Sequence, residues 1–127
     1  MSGRITTHVL DLAGGKPVVG IAIELWYLGE KAGNAEDVQV PRLIGAYMTN
    51  DDGRVDQPLL EGEDVKPGVY ELIFAAGEFF RRTEHLAALS NSLFDLIPIR
   101  FQVRDSASHY HVPLLVAPGG YSTYRGS

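Results

Sequence analysis

Two imidazoles stand two residues apart in the run His109-Tyr-His-Val-Pro-Leu-Leu-Val116. Side chains alternate across a β-strand with period two, so Tyr110, Val112, Leu114 and Val116 share one face. His109, His111, Pro113 and Leu115 share the other. The first face is apolar throughout and reads as core; the second carries both imidazoles. Pro113 has no N–H to give to a ladder, so the strand is expected at a sheet edge or locally irregular there. A third imidazole repeats the pattern near the start. Ile5-Thr-Thr-His-Val-Leu-Asp11 reads as a strand, followed by a Gly14-Gly15-Lys16-Pro17 turn. Ile5, Thr7 and Val9 fall on one face, and Thr6, His8 and Leu10 on the other. Imidazole exchanges protons near neutral pH, so two strands that each offer it on the less apolar face are candidates for acid–base work. Arg54 follows the turn signal Asn50-Asp51-Asp52-Gly53 and adds a fixed cation if the fold carries it to the histidines.

The segment after the last strand, Tyr121-Ser-Thr-Tyr-Arg-Gly-Ser127, combines aromatics, hydroxyls, a guanidinium and a terminal carboxylate. Most chains end in a frayed polar tail, whereas this chemistry suits a pocket wall. Neither Ser122 nor Ser127 is expected to be a nucleophile, because no Gly-x-Ser-x-Gly elbow is present. No metal and no cofactor is expected. Zinc spacings such as H-x-x-x-H or H-E-x-x-H do not occur, although His109 and His111 share a strand face. His85 reads as a surface helix residue.

The elements that must position these groups are short strands. Gly20–Leu28 and Arg42–Thr49 read as strands, a short one follows Arg54, and Gly68–Ala75 begins at the Lys66-Pro67-Gly68 turn. Glu78–Ala88 is the one helical candidate, with Phe79, Thr83, Leu86 and Ala87 as a modest apolar stripe. Ile97–Val103 alternates Ile97, Ile99, Phe101 and Val103 against Pro98, Arg100 and Gln102, a half-buried strand. Many short strands with one helix fit a mostly β sandwich.

Four of these segments occur in a telling order: Thr7-His8-Val9-Leu10-Asp11 with Gly15-Lys16-Pro17; Asp52-Gly53-Arg54; His109-Tyr-His-Val-Pro-Leu-Leu115; and Tyr121-Ser-Thr-Tyr-Arg-Gly-Ser127. Together they resemble the 5-hydroxyisourate hydrolase family, also called transthyretin-related proteins, over almost the whole chain. The closing Tyr-Arg-Gly-Ser is the most specific piece, since it separates the hydrolases from transthyretin proper. The hormone carrier has a Lys, a Glu and a Thr where this chain has His8, Arg54 and His111. The resemblance implies one domain over residues 1–127, a transthyretin-like (prealbumin-like) β-sandwich of two four-stranded sheets with one short helix. It also implies a homotetramer, a dimer of dimers, with sites at the subunit interface and Leu10, Pro113 and Leu115 lining a channel. The implied reaction is hydrolysis of 5-hydroxyisourate to 2-oxo-4-hydroxy-4-carboxy-5-ureidoimidazoline in urate breakdown. His8, Arg54 and His111 would be catalytic: His8 or His111 activates water, and Arg54 pairs with substrate oxygens or the oxyanion. Tyr124, Arg125 and Ser127 would bind the purine-derived ring. Ala117, the Leu93–Pro98 segment and the long polar loop 29–41 depart from the family pattern. The alternative of another class is a non-catalytic transthyretin-like protein that binds a small ligand without turnover.

Composition narrows the partners. A length of 127 residues suits one domain with a real core. The net charge of −5 and the absence of a Lys/Arg cluster argue against nucleic acid. No apolar run reaches membrane-spanning length and no apolar signal region precedes the first strand, so a cytoplasmic protein is expected. The absence of cysteine removes disulfides and thiol ligands and fits a reducing compartment.

Overall fold

The computed structural model describes residues 3–30, 40–83 and 93–126. Among the described residues, eleven strands and one α-helix, with a 3-10 turn at Gly62–Asp64, run in the order β1 (Arg4–Thr6), β2 (Val9–Asp11), β3 (Lys16–Pro17), β4 (Ala22–Gly29), β5 (Arg42–Met48), β6 (Leu60–Glu61), β7 (Gly68–Ala75), α1 (Ala76–Arg82), β8 (Leu96–Val103), β9 (His109–His111), β10 (Leu114–Ala117) and β11 (Gly120–Thr123).

One layer is a continuous antiparallel sheet, β5-β4-β7-β8. Its strands alternate as the sequence predicts. Ile23 and Leu25, Tyr70, Leu72 and Phe74, and Ile97, Ile99 and Val103 are buried, while Pro98, Arg100 and Gln102 are exposed. The pairing of β7 with β8 holds register from Gly68↔Val103 to Ala75↔Leu96 without a shift. The Lys66-Pro67-Gly68 turn is fastened by Tyr70, whose hydroxyl donates to the Lys66 carbonyl at 2.8 Å and accepts its N–H at 3.0 Å. Each fully buried Phe or Leu contributes about 1.5–3 kcal/mol.

The second layer is broken into a three-stranded piece, β6-β1-β9, and a four-stranded piece, β11-β10-β2-β3. β1 pairs with β9 in parallel, and β2 with β10, so the two pieces are one pair of long strands interrupted at the same height. The expected irregularity at Pro113 is the cause on one side. Proline gives no ladder N–H, and the Val112 carbonyl is taken instead by the Thr7 hydroxyl at 2.7 Å. Val112 N–H donates to Thr6 and Leu114 N–H to His8, both at 2.9 Å, which carries the pairing across the gap.

The helix differs from expectation. It begins at Ala76, two residues early, and ends at Arg82, because Thr83 turns to extended backbone (φ −97°, ψ 116°). Ala76, Gly77, Phe79 and Phe80 are its buried face; the remainder of the expected helix, with His85, Leu86 and Ala87, lies outside the described residues. The hydroxyl of Thr83 donates to the Phe79 carbonyl at 2.7 Å, closing the last turn. Tyr121–Thr123, read from sequence as tail, form β11, antiparallel to β10 from Leu114↔Thr123 to Ala117↔Gly120. Among the described residues, no helix is long and apolar enough to cross a membrane.

Candidate active site

The interruption in the second layer is where the chemical groups collect. At His8, between β1 and β2, the backbone leaves the sheet ladder and bridges antiparallel to Arg54. The Asn50–Arg54 turn is built for that approach. Asn50 Oδ1 accepts the N–H groups of Asp52 at 2.9 Å and Arg54 at 3.1 Å, and Asn50 Nδ2 donates to Asp56 at 2.8 Å. Gly53 adopts φ +74°, and any Cβ there would stand 2.5 Å from the Val9 carbonyl, so the residue has to be glycine. The turn offers two carbonyls to the N-terminal strand. Gly53 O accepts from Val9 N–H at 2.8 Å, and Asp52 O lies 2.8 Å from Nε2 of His8. A carbonyl only accepts, so Nε2 carries the proton and a neutral His8 ring has its lone pair on Nδ1.

His111 ends β9 and is half-buried. Its Nδ1 lies 2.8 Å from the hydroxyl of Thr6, its register partner on β1. Burial pushes the ring below the ordinary imidazole value of 6.5, and the nearby charges of Arg54 and His8 push it further the same way. The ring is therefore neutral at neutral pH and available as a base. His8, Arg54 and His111 are thus brought together from positions far apart in sequence.

A cleft of about 390 Å³ opens on this outer face. Arg4, Thr6 and Thr7 line it from the N-terminal strand, Arg54 and Val55 from the turn, and His109 and His111 from β9. Among the described residues no three His, Cys, Asp or Glu side chains converge as a metal site would require.

The tail takes a different place. Gly126 bridges His111 through its N–H to the His111 carbonyl at 2.8 Å, and a Cβ on Gly126 would run into Cδ2 of the His111 ring. Arg125 turns away from the cleft. Its Nη2 donates to the His109 carbonyl at 3.0 Å, and its guanidinium lies 4.5 Å from the Tyr110 ring centroid, a cation–π contact. Tyr124 and Arg125 line a second groove of about 240 Å³ with Thr123, Ile99 and Phe101. Within one chain, then, Tyr124 and Arg125 are not joined to the three candidate catalytic groups, and Ser127 lies outside the described residues. Sequence reading missed Thr6 as the partner of His111 and Asn50 as the anchor of the turn. Thr6 shares the His8 face, but only the parallel register sets it beside His111.

Two β layers around one core and one short helix define a β-sandwich, with an imidazole–guanidinium cleft on its interrupted layer. Residues 5–126 match the model of the HIUase/Transthyretin family. A 5-hydroxyisourate hydrolase of Halalkalibacterium halodurans is 49% identical over 127 residues, the whole of both chains. The solved Klebsiella pneumoniae 5-hydroxyisourate hydrolase is 30% identical with a TM-score of 0.74, covering 98% of this chain and 99% of that one. A solved (S)-allantoin synthase is 38% identical with a TM-score of 0.82; the match covers 99% of this chain but only 44% of that longer protein. The chain belongs to the HIUase/Transthyretin family.

Proposed function

We propose that this protein is a 5-hydroxyisourate hydrolase that opens the six-membered ring of its substrate with water. The observation that supports it most is the His111 ring: neutral, half-buried and fastened by Thr6, it stands in one cleft with Arg54, in a chain 49% identical end to end to a protein of that name. In this reading Nδ1–H of His111 donates to the Thr6 hydroxyl, which leaves the Nε2 lone pair to take a proton from water. The resulting hydroxide attacks a ring carbonyl carbon. Arg54 donates N–H groups to the developing oxyanion, the kind of preorganised charge that dominates such steps. The ring C–N bond then breaks, the departing nitrogen receives the proton held on the imidazolium, and the opened product rearranges to 2-oxo-4-hydroxy-4-carboxy-5-ureidoimidazoline. His8, held by the Asp52 carbonyl, orients the attacking water or the leaving nitrogen through Nδ1.

The active form is a homotetramer, a dimer of dimers with sites at the interface. Support comes from β8 and β11, each outermost in its sheet with one edge unpaired among the described residues, and from half-buried Leu10 and Leu115 on the cleft side. Substrate contacts by Tyr124, Arg125 and Ser127 depend on that assembly. We place the protein in the cytoplasm, which cell fractionation tests.

The test of function is a coupled ultraviolet assay. Urate oxidase generates 5-hydroxyisourate in place, and its decay is followed with wild-type protein, with His111→Ala and without protein. Decay accelerated by wild type alone supports the reaction and the cleft together. Acceleration by both variants moves the base to His8. No acceleration by either, with saturable binding of a small aromatic, favours the non-catalytic carrier.

A further inference from the structure

Eight arginines lie among the described residues, and six of them have a partner for the guanidinium. Arg81, Arg82 and Arg100 are ion-paired, Arg104 donates to Gln102, Arg42 lies over the Tyr27 ring, and Arg125 is held by Tyr110 and the His109 carbonyl. The two without a hydrogen-bond, ion-pair or ring partner are Arg4 and Arg54, and both line the same cleft. Arg54 already has a role in the proposed chemistry. Arg4 has none.

Its position is fixed by the sheet. Arg4 pairs in parallel register with His109, two residues outward from the Thr6–His111 pair, so the four side chains occupy neighbouring places on one outer face. Arg4 and His109 are exposed while Thr6 and His111 are half-buried, which sets the first pair at the mouth and the second deeper. Glu61 stands opposite Arg4 on its other side in the ladder but makes no ion pair with it. Two guanidiniums in one cleft of a chain with net charge −5 leave a local positive field that no ion pair among the described residues neutralises. A group of the opposite sign from outside balances such a field.

We propose that Arg4, with the His109 ring beside it, is an anion-recognising mouth for the cleft, and that the ligand it selects is a planar, negatively charged oxidised purine. The assignment deepens the hydrolase reading and rests on it for the identity of the substrate. The ring N–H groups of such a molecule lie between carbonyls and are acidic, and opening a cyclic amide with water leaves a carboxylate. The guanidinium offers a planar fork of donors to ring oxygens, and an imidazole offers at least one N–H in either protonation state. Arg54 meets the reacting carbonyl, whereas Arg4 meets charge at the far end of the ring. Arg4 is thus a binding and steering residue that touches no bond being made or broken.

The experiment is steady-state hydrolysis of 5-hydroxyisourate by wild type, Arg4→Lys, Arg4→Gln and Arg4→Glu, with Arg104→Gln as a control guanidinium outside the cleft. Urate, a stable oxidised purine anion, serves as a turnover-independent probe, titrated by calorimetry against the same proteins. Arg4→Gln is expected to raise KM by about fivefold and Arg4→Glu by about 25-fold, with kcat within about twofold of wild type. Urate affinity should weaken in step, Arg4→Lys should recover most of the loss, and Arg104→Gln should leave both unchanged. Raising salt from about 20 to about 300 mM should lower wild-type kcat/KM more than that of Arg4→Gln. Wild-type KM and urate affinity in Arg4→Glu at low salt would overturn the mouth, and so would a fall in kcat alone. If the wild type fails to hydrolyse 5-hydroxyisourate, the hydrolase reading falls, and the urate titration alone then decides whether Arg4 recognises the anion.

Discussion

The two layers of the sandwich are made differently. The β5-β4-β7-β8 layer uses strands of seven or eight residues, and its β7–β8 ladder runs without a shift. The opposite layer uses pieces of two to four residues, joined by isolated bridges at His8↔Arg54 and His111↔Gly126. Both candidate bases sit at those bridges. In a regular ladder every backbone group is spent on a neighbouring strand, and side chains are held only by packing. Where pairing is interrupted, the Asp52 carbonyl is free to orient an imidazole, and the Thr6 hydroxyl sits beside another. Both layers bury core side chains, but the larger share comes from the continuous layer, and the candidate site lies on the broken one.

The largest expected effect separates the layers outright. His111→Ala should lose about 10²–10⁴-fold in kcat while costing far less stability than a core deletion. Phe74→Ala, in the continuous layer, should cost about 3–5 kcal/mol of stability while the folded fraction keeps its KM. Denaturant melts beside steady-state kinetics check both, and a destabilised His111→Ala with normal turnover would erase the contrast. Gly126→Val comes next. Its side chain meets the His111 ring, and displacing that ring by about 1 Å should cost up to about 10²-fold in kcat, with little change in melting. Asn50→Ala should act more mildly. It leaves two turn N–H groups without their acceptor, each worth about 1 kcal/mol, and should lower kcat several-fold by loosening Arg54 and His8 together. Asp56→Ala, which frees only Asn50 Nδ2, should fall between Asn50→Ala and wild type.

The smallest effect is a titration. By NMR, His111 should protonate below the ordinary imidazole value of 6.5, and Arg54→Gln should raise its midpoint, since a neighbouring cation disfavours the imidazolium. The unfolded chain then binds the proton more tightly than the folded one. The contribution of His111 to stability is therefore fully present above the ordinary value and is lost as pH falls from there through the lowered folded value. Activity that depends on the neutral ring should fall on the same acid side. A midpoint above 6.5 would contradict the burial of the ring.

Sequence reading succeeds where one physical rule acts alone. Alternation assigns the core face of Tyr110, Val112, Leu114 and Val116, and all four are buried. Gly68–Ala75 matches to the residue because the Lys66-Pro67-Gly68 turn fixes its start. Pro113 marks the interruption because it lacks an N–H. Reading fails where two distant segments must be compared. Thr6 belongs beside His111 only through parallel register, which no local pattern encodes. Tyr124 and Arg125 line the other groove within one chain, so their proposed substrate contacts depend on a second copy, which no local pattern encodes. The β10–β11 hairpin had a signal in Gly119-Gly120 between two β-prone runs. Periodicity starts the helix two residues late because its buried face begins at Ala76 and Gly77, residues too small to register as an apolar stripe.

The parallel pairing of β1 with β9 and β2 with β10 also sets a timetable. Thr6 and His111 are separated by 105 positions, so a chain growing on a ribosome holds half of its cleft long before the other half exists. The N-terminal strand waits, partnered at most by the Arg54 turn, until the last strands emerge. Closing so long a loop is slow relative to local hairpins, and during the wait the early strand edge is open to other chains. A nascent chain that stops short of His109 lacks His111 and half of the cleft, and on the proposed reading it has no base there to activate water.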